Sequence, residues 1–172
     1  EIYTLSLHAA LPISLRLSMD TRGWALVTGA ARRIGRALAL SAARAGYDIV
    51  IHHRASPADA EKTAAEVRAL GRQARLADGD LADTGHLGTL LGGDAPVTLL
   101  VNSASLFSDD RIESLTAAGF DEHMAINLRA PILLTQAFAA ALPADRTGLV
   151  VNIIDQRVLR PTPQFFSYAV SK

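Results

Sequence analysis

The sequence contains no cysteine. Disulfides, thiolate nucleophiles and thiolate metal sites are therefore excluded, and a cytoplasmic location is expected. Aromatic residues are scarce, at 5% with a single Trp. Charge of one sign is also missing, because Lys+Arg and Asp+Glu both number 17. That balance provides no electrostatic footprint for nucleic acid or an anionic membrane surface. No uninterrupted apolar run reaches the roughly 18 residues of a membrane span, so no membrane partner is expected. Internal repeats, linkers and low-complexity tracts are absent as well. What remains is a chain of 172 residues, 49% hydrophobic, which is enough for one domain with a sizeable core.

The opening stands apart from the rest. Glu1 to Ile13 reads EIYTLSLHAALPI, which resembles the translation of a sequencing-adapter oligonucleotide with one residue changed. Leu5 to Leu17 is apolar enough to suggest a signal-peptide core, but no basic region precedes it and His8 and Pro12 interrupt it. Residues 1–18 are expected to be a non-native leader, with Met19 as the native start.

From Trp24 onward strands and helices alternate. The apolar run Trp24 to Thr28 reads as a strand, followed by a turn from Gly29 to Gly35. Ile34 to Ala45 reads as a helix closed by Gly46. A second strand covers Tyr47 to His52. A second helix, with Ser56 as N-cap and Pro57 at its first position, runs to Leu70. Gln73 to Ala77 is a third strand, Asp83 to Leu91 a weak glycine-broken helix, and Val97 to Val101 a fourth strand. After the loop Asn102 to Asp110 comes a long helix, clearest over Phe120 to Leu142 and kinked at Pro131. Leu149 to Ile154 is a fifth strand, and Gln164 to Lys172 opens a last helix. Continuous apolar strands alternating with helices predict an α/β doubly wound parallel Rossmann sheet, ordered 3-2-1-4-5. Ligands of such sheets lie beyond the carboxyl ends of the strands.

The loop Thr28-Gly-Ala-Ala-Arg-Arg-Ile-Gly35 lies at such an end. A Gly directly after the strand permits a tight turn, small residues let backbone N–H groups approach a diphosphate, and the next helix offers its positive end. Gly29, Arg32, Arg33, Ile34 and Gly35 are the expected contacts. Arg33 stands where a small residue is more usual, within reach of either the diphosphate or the substrate. An NAD site places an acid at the end of the second strand. Here that region reads His52-His53-Arg54-Ala55-Ser56, without one. His53, Arg54 and Ser56, with Arg32, are expected to surround a 2′-phosphate, so the expected cofactor is NADP(H). Asp80 and Leu81 follow the third strand near the expected adenine, and Asn102 and Ala104 follow the fourth. The adjacent histidines lack the i, i+4 spacing of a helical metal pair, and no metal is assigned.

Tyr168 and Lys172 are four residues apart, on one helix face. A phenol titrating near ~10 is a poor acid–base group at neutral pH, and a fixed ammonium nearby lowers that value. TGAARRIG, Asn102-Ser-Ala-Ser105, Asn127 in the long helix and YAVSK together resemble the short-chain dehydrogenase/reductase family over Trp24 to Lys172. The resemblance implies that Tyr168 transfers the proton, that Lys172 lowers its pKa and holds the nicotinamide ribose, and that Asn127 supports a proton relay. It also implies a Ser thirteen residues before the Tyr, where this sequence has Asp155. The family's second loop Asn is Ser103 here.

Asp155, Arg33 and Ser105-Leu-Phe107 together resemble the pteridine reductase branch, including dihydromonapterin and dihydrofolate reductases. That branch implies Arg33 beside diphosphate and pterin, Phe107 stacked on the pterin ring, Ser105 beside the substrate, and Asp155 working with Tyr168 in protonation. Phe107 as a plain loop anchor, and Asp155 as a cap of the Tyr168 helix, remain open readings. So do a general carbonyl reductase and a non-catalytic NADP-binding regulator. The family also implies a homo-oligomer, commonly a tetramer. Its members continue beyond the lysine through further helix, another strand and a substrate-covering region. Residues 19–172 are therefore expected to be an incomplete, C-terminally truncated NADP-binding domain. Alone, it is expected to fold poorly, with an exposed sheet edge prone to association, and to be inactive.

Overall fold

The structure is a computed structural model that describes residues 22–93 and 95–172. The expected leader 1–18 and the start at Met19 lie outside the described residues. The elements run β1 (Trp24–Val27), α1 (Arg33–Arg44), β2 (Asp48–His53), α2 (Pro57–Ala69), β3 (Ala74–Asp78), a 3₁₀ helix (Thr84–Leu91), β4 (Val97–Asn102), α3 (Ala117–His123), a π-helical segment (Met124–Arg129), α4 (Ala130–Ala141), β5 (Leu149–Asn152), a short 3₁₀ turn (Gln156–Val158) and α5 (Phe166–Ser171). All strand pairings are parallel, and the order is β3-β2-β1-β4-β5, as the alternation predicts.

Successive strand residues point to opposite faces and build two cores. On one face Ala25, Val27, Ile49, Ile51 and Val101 meet Ala39, Ala43, Ala60, Ala64 and Val67 of α1 and α2. The alanines let these helices approach closely. On the other face Leu26, Val50 and Leu100 meet Leu87, Leu90, Ala130, Leu134 and Phe138. Full burial of each large aliphatic side chain stabilises the fold by roughly 1.5–3 kcal/mol. The chain leaves β1 toward β2 on one side and returns as β4 on the other, which opens a crevice at the carboxyl ends of the central strands.

Three elements differ from expectation for local reasons. The weak helix is 3₁₀, with Gly85 and Gly88 inside it and Asp83 Oδ1 accepting the Gly85 N–H at 3.0 Å. The irregularity expected at Pro131 takes the form of the wider π turn over Met124–Arg129 just before it. β5 stops at Asn152 because β4 ends at Asn102; only the Ile153 N–H still reaches the Asn102 carbonyl, at 3.0 Å. β5 is also an edge strand, with Leu149 exposed. The helical stretch Ala117–Ala141, at mean hydropathy 1.2, is long and apolar enough to cross a membrane by length and composition, contrary to the reading from uninterrupted runs. Here its Ala130, Leu134 and Phe138 are buried in the second core.

Candidate active site

The phosphate loop is shaped by close approach. Gly29 has φ +66°, and a Cβ there would lie 2.9 Å from the Ala104 Cα. A Cβ on Gly35 would collide with the Gly29 carbonyl. Arg33 has φ 49°, in the left-handed region, which explains why a small residue is the more usual occupant. No side chain caps α1 and no acid lies in its first turn. Its leading N–H groups therefore face the crevice without a side-chain competitor, as a dinucleotide phosphate requires.

His52 holds this loop in place. Its Nδ1 accepts the Gly29 N–H at 3.2 Å, and its Nε2 lies 3.1 Å from the Gly79 carbonyl. These partners select a neutral ring protonated on Nε2. Burial pushes its pKa down to about 4 from 6.5, against the opposing pull of the Gly79 bond. The unfolded chain thus binds a proton at higher pH than the folded one. The stability this ring contributes is complete above pH ~6.5 and is lost as pH falls toward ~4, on the order of 3 kcal/mol across the window. In the whole protein that carries this chain, urea midpoints measured from pH 7 to 4.5 should fall more steeply for the wild type than for His52→Gln. Equal slopes would remove His52 from the account.

The ring of His52 also lines a cleft of about 170 Å³ with Gly29, Arg54, Gly79, Asp80, Leu81, Ala104 and Ser105. His53, the residue expected there, is absent from that lining; its Nδ1 instead lies 3.1 Å from Asp78 Oδ1. Neighbouring strand residues face opposite ways, so only one of the pair can look into the cleft. Two other expectations need amendment. Ser56 occupies the N-cap position but makes no side-chain cap bond; its hydroxyl donates to the Arg54 carbonyl at 3.3 Å. Arg54 pairs with Asp80 at 3.1 Å, and Arg32 pairs with Asp59. Arg32, Arg54 and Asp80 are exposed and Asp59 partly so, which leaves the pairs weak and exchangeable.

A second cleft, about 360 Å³, brings the two ends of the chain's chemistry together. Arg32, Arg33, Ile34 and Gly35 form one side, and Asp155, Gln156, Arg157 and Tyr168 the other, with Ser103, Ser105 and Phe107 between. The Tyr168 hydroxyl donates to Asp155 Oδ2 at 2.9 Å. The backbone N–H of Arg157 donates to Asp155 Oδ1 at 2.9 Å. That bond is the main cause holding the Asp155 carboxyl below its ordinary range, aided by Tyr168 and the charges of Arg157 and Lys172. Asp155 is therefore a carboxylate at neutral pH. It caps the short turn Gln156–Val158, not the Tyr168 helix.

The proton affinity of Tyr168 corrects an expectation. Lys172 should lower it, yet burial first, then the Asp155 bond and charge, push it up to about 12. The reason is distance. The Lys172 ammonium donates to the Ile153 carbonyl at 3.0 Å and lies 5.8 Å from the Tyr168 ring centre, whereas Asp155 touches the hydroxyl. Lys172 itself is pushed down by burial, against the charge of Asp155. It lines a neighbouring recess of about 400 Å³ with Asn102, Ala104, Asn127 and Asn152.

The other polar residues tie loops to helices. Asn127 Oδ1 accepts the Leu106 N–H at 2.7 Å, and its Nδ2 donates to the Leu106 carbonyl and to Ser171 Oγ, each at 2.9 Å. The π turn thus pins the loop after β4 to α5. Asn102 Nδ2 donates to Asn152 Oδ1 at 2.8 Å. Thr28 Oγ1 accepts the N–H groups of Ser103 and Ala104 at 2.9 and 3.0 Å. Asp110 Oδ1 accepts the Ser167 N–H at 3.0 Å and so anchors the start of α5. Phe165, at φ 58°, stacks on Phe107 with centroids 4.3 Å apart and planes 11° apart. Phe107 also meets Tyr168 edge-on at 4.7 Å. Thr28, His52, Asp110 and Phe165 escaped sequence reasoning, because each acts on a partner remote in the chain or outside any motif. Only Phe165, an aromatic three residues before Tyr168, offered a faint signal.

The chain is similar in sequence and fold to known proteins. The family model described as short chain dehydrogenase matches residues 23–172. A solved structure of FolM alternative dihydrofolate reductase 1 from Brucella suis, in complex with NADP, is 42% identical at TM-score 0.80, covering 86% of this chain and 63% of that one. L-xylulose reductase of Caenorhabditis elegans is 33% identical over 150 residues, covering 86% of this chain and 59% of that protein. The chloroplastic NADPH-dependent aldehyde reductase-like protein of Arabidopsis thaliana is 27% identical, with 86% and 61% coverage. The chain thus spans about three fifths of the curated relatives it matches. From the glycine loop under α1 to the Tyr168–Lys172 pair, it belongs to the short-chain dehydrogenase family.

Proposed function

We propose that the whole protein carrying this chain is an NADPH-dependent reductase that adds hydride to a C=N bond of a dihydropteridine- or dihydrofolate-type substrate. The observation that carries the reading is the Tyr168 hydroxyl bonded to the Asp155 carboxylate in the cleft shared with Arg33 and Phe107. A carboxylate repels a developing oxyanion but accepts N–H bonds from a nitrogen-rich ring. The likeness to the FolM structures supports the same class.

NADPH, when bound, supplies the hydride. The Gly29–Gly35 loop and the open end of α1 would receive its diphosphate. Arg32, Arg54 and Ser56 would receive its 2′-phosphate, at a β2 end that holds no acid to repel it. Asn102, Ala104 and Lys172 would line the nicotinamide side. Reduction of C=N consumes one hydride and one proton, giving CH–NH. Tyr168, kept protonated by burial and Asp155, passes its proton to the substrate nitrogen and regains one from solvent. Asp155 orients the phenol and makes the phenolate short-lived, because two adjacent anions repel.

The aldehyde and xylulose reductases among the relatives make carbonyl reduction the competing reading. A panel of dihydropterins, dihydrofolate and ketones, followed by loss of NADPH absorbance, separates the two. A kcat/KM at least about tenfold higher for the pterin class is expected. Turnover of ketones alone overturns the pterin reading. Tight NADPH binding without turnover of any member points to a non-catalytic regulator.

A further inference from the structure

Resting on that reading for the ring alone, we infer that Arg157 receives an anionic substituent of the substrate, so that the preferred substrate is a planar heterocycle bearing a carboxylate or phosphate. The 360 Å³ cleft is lined by three arginines, Arg32, Arg33 and Arg157, against one acid, Asp155. Arg32 is matched by Asp59. The one acid is engaged by the Tyr168 hydroxyl and the Arg157 backbone N–H. Among the described residues neither Arg33 nor Arg157 has a carboxylate within ion-pair distance of its side chain. Arg33 belongs to the phosphate loop and has an anion to serve there. Arg157 approaches from the opposite wall, beside the proton donor; its charge acts on Asp155 from a distance, but among the described residues no carboxylate pairs with it directly.

Its placement is held by contacts that leave it free to bind. The guanidinium carbon lies 4.7 Å from the Phe165 ring centre and 5.7 Å from that of Phe107, while the two centres are 4.3 Å apart. The guanidinium is nearer Phe165 than Phe107, so it stands level with Phe165, to the side of the line joining the two ring centres. Cation–π attraction to the Phe165 ring helps hold the charge there. Among the described residues the side chain makes one hydrogen bond, from Nη1 to Thr162 Oγ1 at 3.2 Å, which leaves most of its five N–H donors available. Phe165 covers one face of Phe107, and Phe107 is 51% exposed. A flat ring laid on the other face of Phe107 lies one ring beyond the level of Arg157, so an anion carried on a substituent that reaches back along the cleft wall suits the guanidinium fork.

The test uses the whole protein with three probes, neutral dihydrobiopterin, dihydrofolate with its carboxylates, and a dihydroneopterin phosphate. The wild type should favour one or both anionic probes, and which of them identifies carboxylate or phosphate as the source. Arg157→Gln should cut the anionic-to-neutral ratio of kcat/KM by about tenfold, carried in KM, and Arg157→Lys should restore part of it. A ratio unmoved in Arg157→Gln overturns the proposal. So does a rise in the NADPH Kd of that variant, which would assign Arg157 to the cofactor. If the wild type turns over no pterin, the pterin reading fails, and the same ratio for a ketone and its carboxylated analogue decides Arg157 by itself.

Discussion

Replacing Tyr168 by Phe is expected to lower kcat by about 10³-fold on every substrate the whole protein accepts, while the Kd for NADPH moves little. The hydroxyl lines the crevice bonded to Asp155, and positioned proton transfer typically contributes 10²–10⁴-fold. The ring itself should stay in place. Tyr168 is 6% exposed and packs edge-on against Phe107, and those contacts survive the change. Asp155 loses one hydrogen bond but keeps that from the Arg157 backbone, at a stability cost of about 1 kcal/mol. Single-turnover reduction and NADPH binding, measured side by side, check the result. A variant retaining more than a tenth of the wild-type rate would show that another group delivers the proton. The same variant serves as blank for a phenolate absorbance titration. In the wild type the Tyr168 signal should stay absent until the pH nears 12.

Asp155→Ser should divide the substrates. Pterin turnover is expected to fall by about 10²-fold, because the carboxylate that orients the phenol and accepts ring N–H groups is gone. Ketone reduction should gain relative to it, since a hydroxyl steadies the oxyanion that a carboxylate repels. The sign of the phenol shift follows. With Asp155 removed, burial alone still raises the Tyr168 pKa, while the Ser105 hydroxyl and then the charge of Arg157 continue to lower it. Ionisation should therefore appear at lower pH than in the wild type. Pterin kcat/KM within twofold of wild type in this variant would sink the assignment of Asp155. An unchanged phenolate titration would mean that Asp155 does not govern Tyr168.

The strand order was legible because its causes are local and repeated. Apolar runs of the length of Asp48–His53 and Val97–Asn102, separated by helical segments, leave few right-handed ways to close a parallel sheet. The ends of elements were less legible. α5 starts at Phe166 because Phe165 is left-handed and Asp110 anchors the Ser167 N–H, and no short-range pattern encodes a bond across 57 residues. Much of the candidate site was also visible as residue types at spacings, notably Gly29 to Gly35, Asp155, Tyr168 and Lys172, which the fold brings to one crevice or its adjoining recess. Which of two adjacent histidines faces the cleft was not visible, since strand phase is set by the partner strands of β2.

The sequence by itself determined the family, the sheet order and the motif residues that reach the crevice, because glycine placement, apolar periodicity and the four-residue step of a helix act within a few residues of themselves. Tertiary structure alone decided the proton affinities and the second contacts. Tyr168 is raised and not lowered, His52 and not His53 supports the loop, Phe165 covers Phe107, and among the described residues Arg157 has no direct ion pair. Each of those depends on burial and on distances of a few ångströms between groups far apart in the chain, and electrostatic energy varies with both.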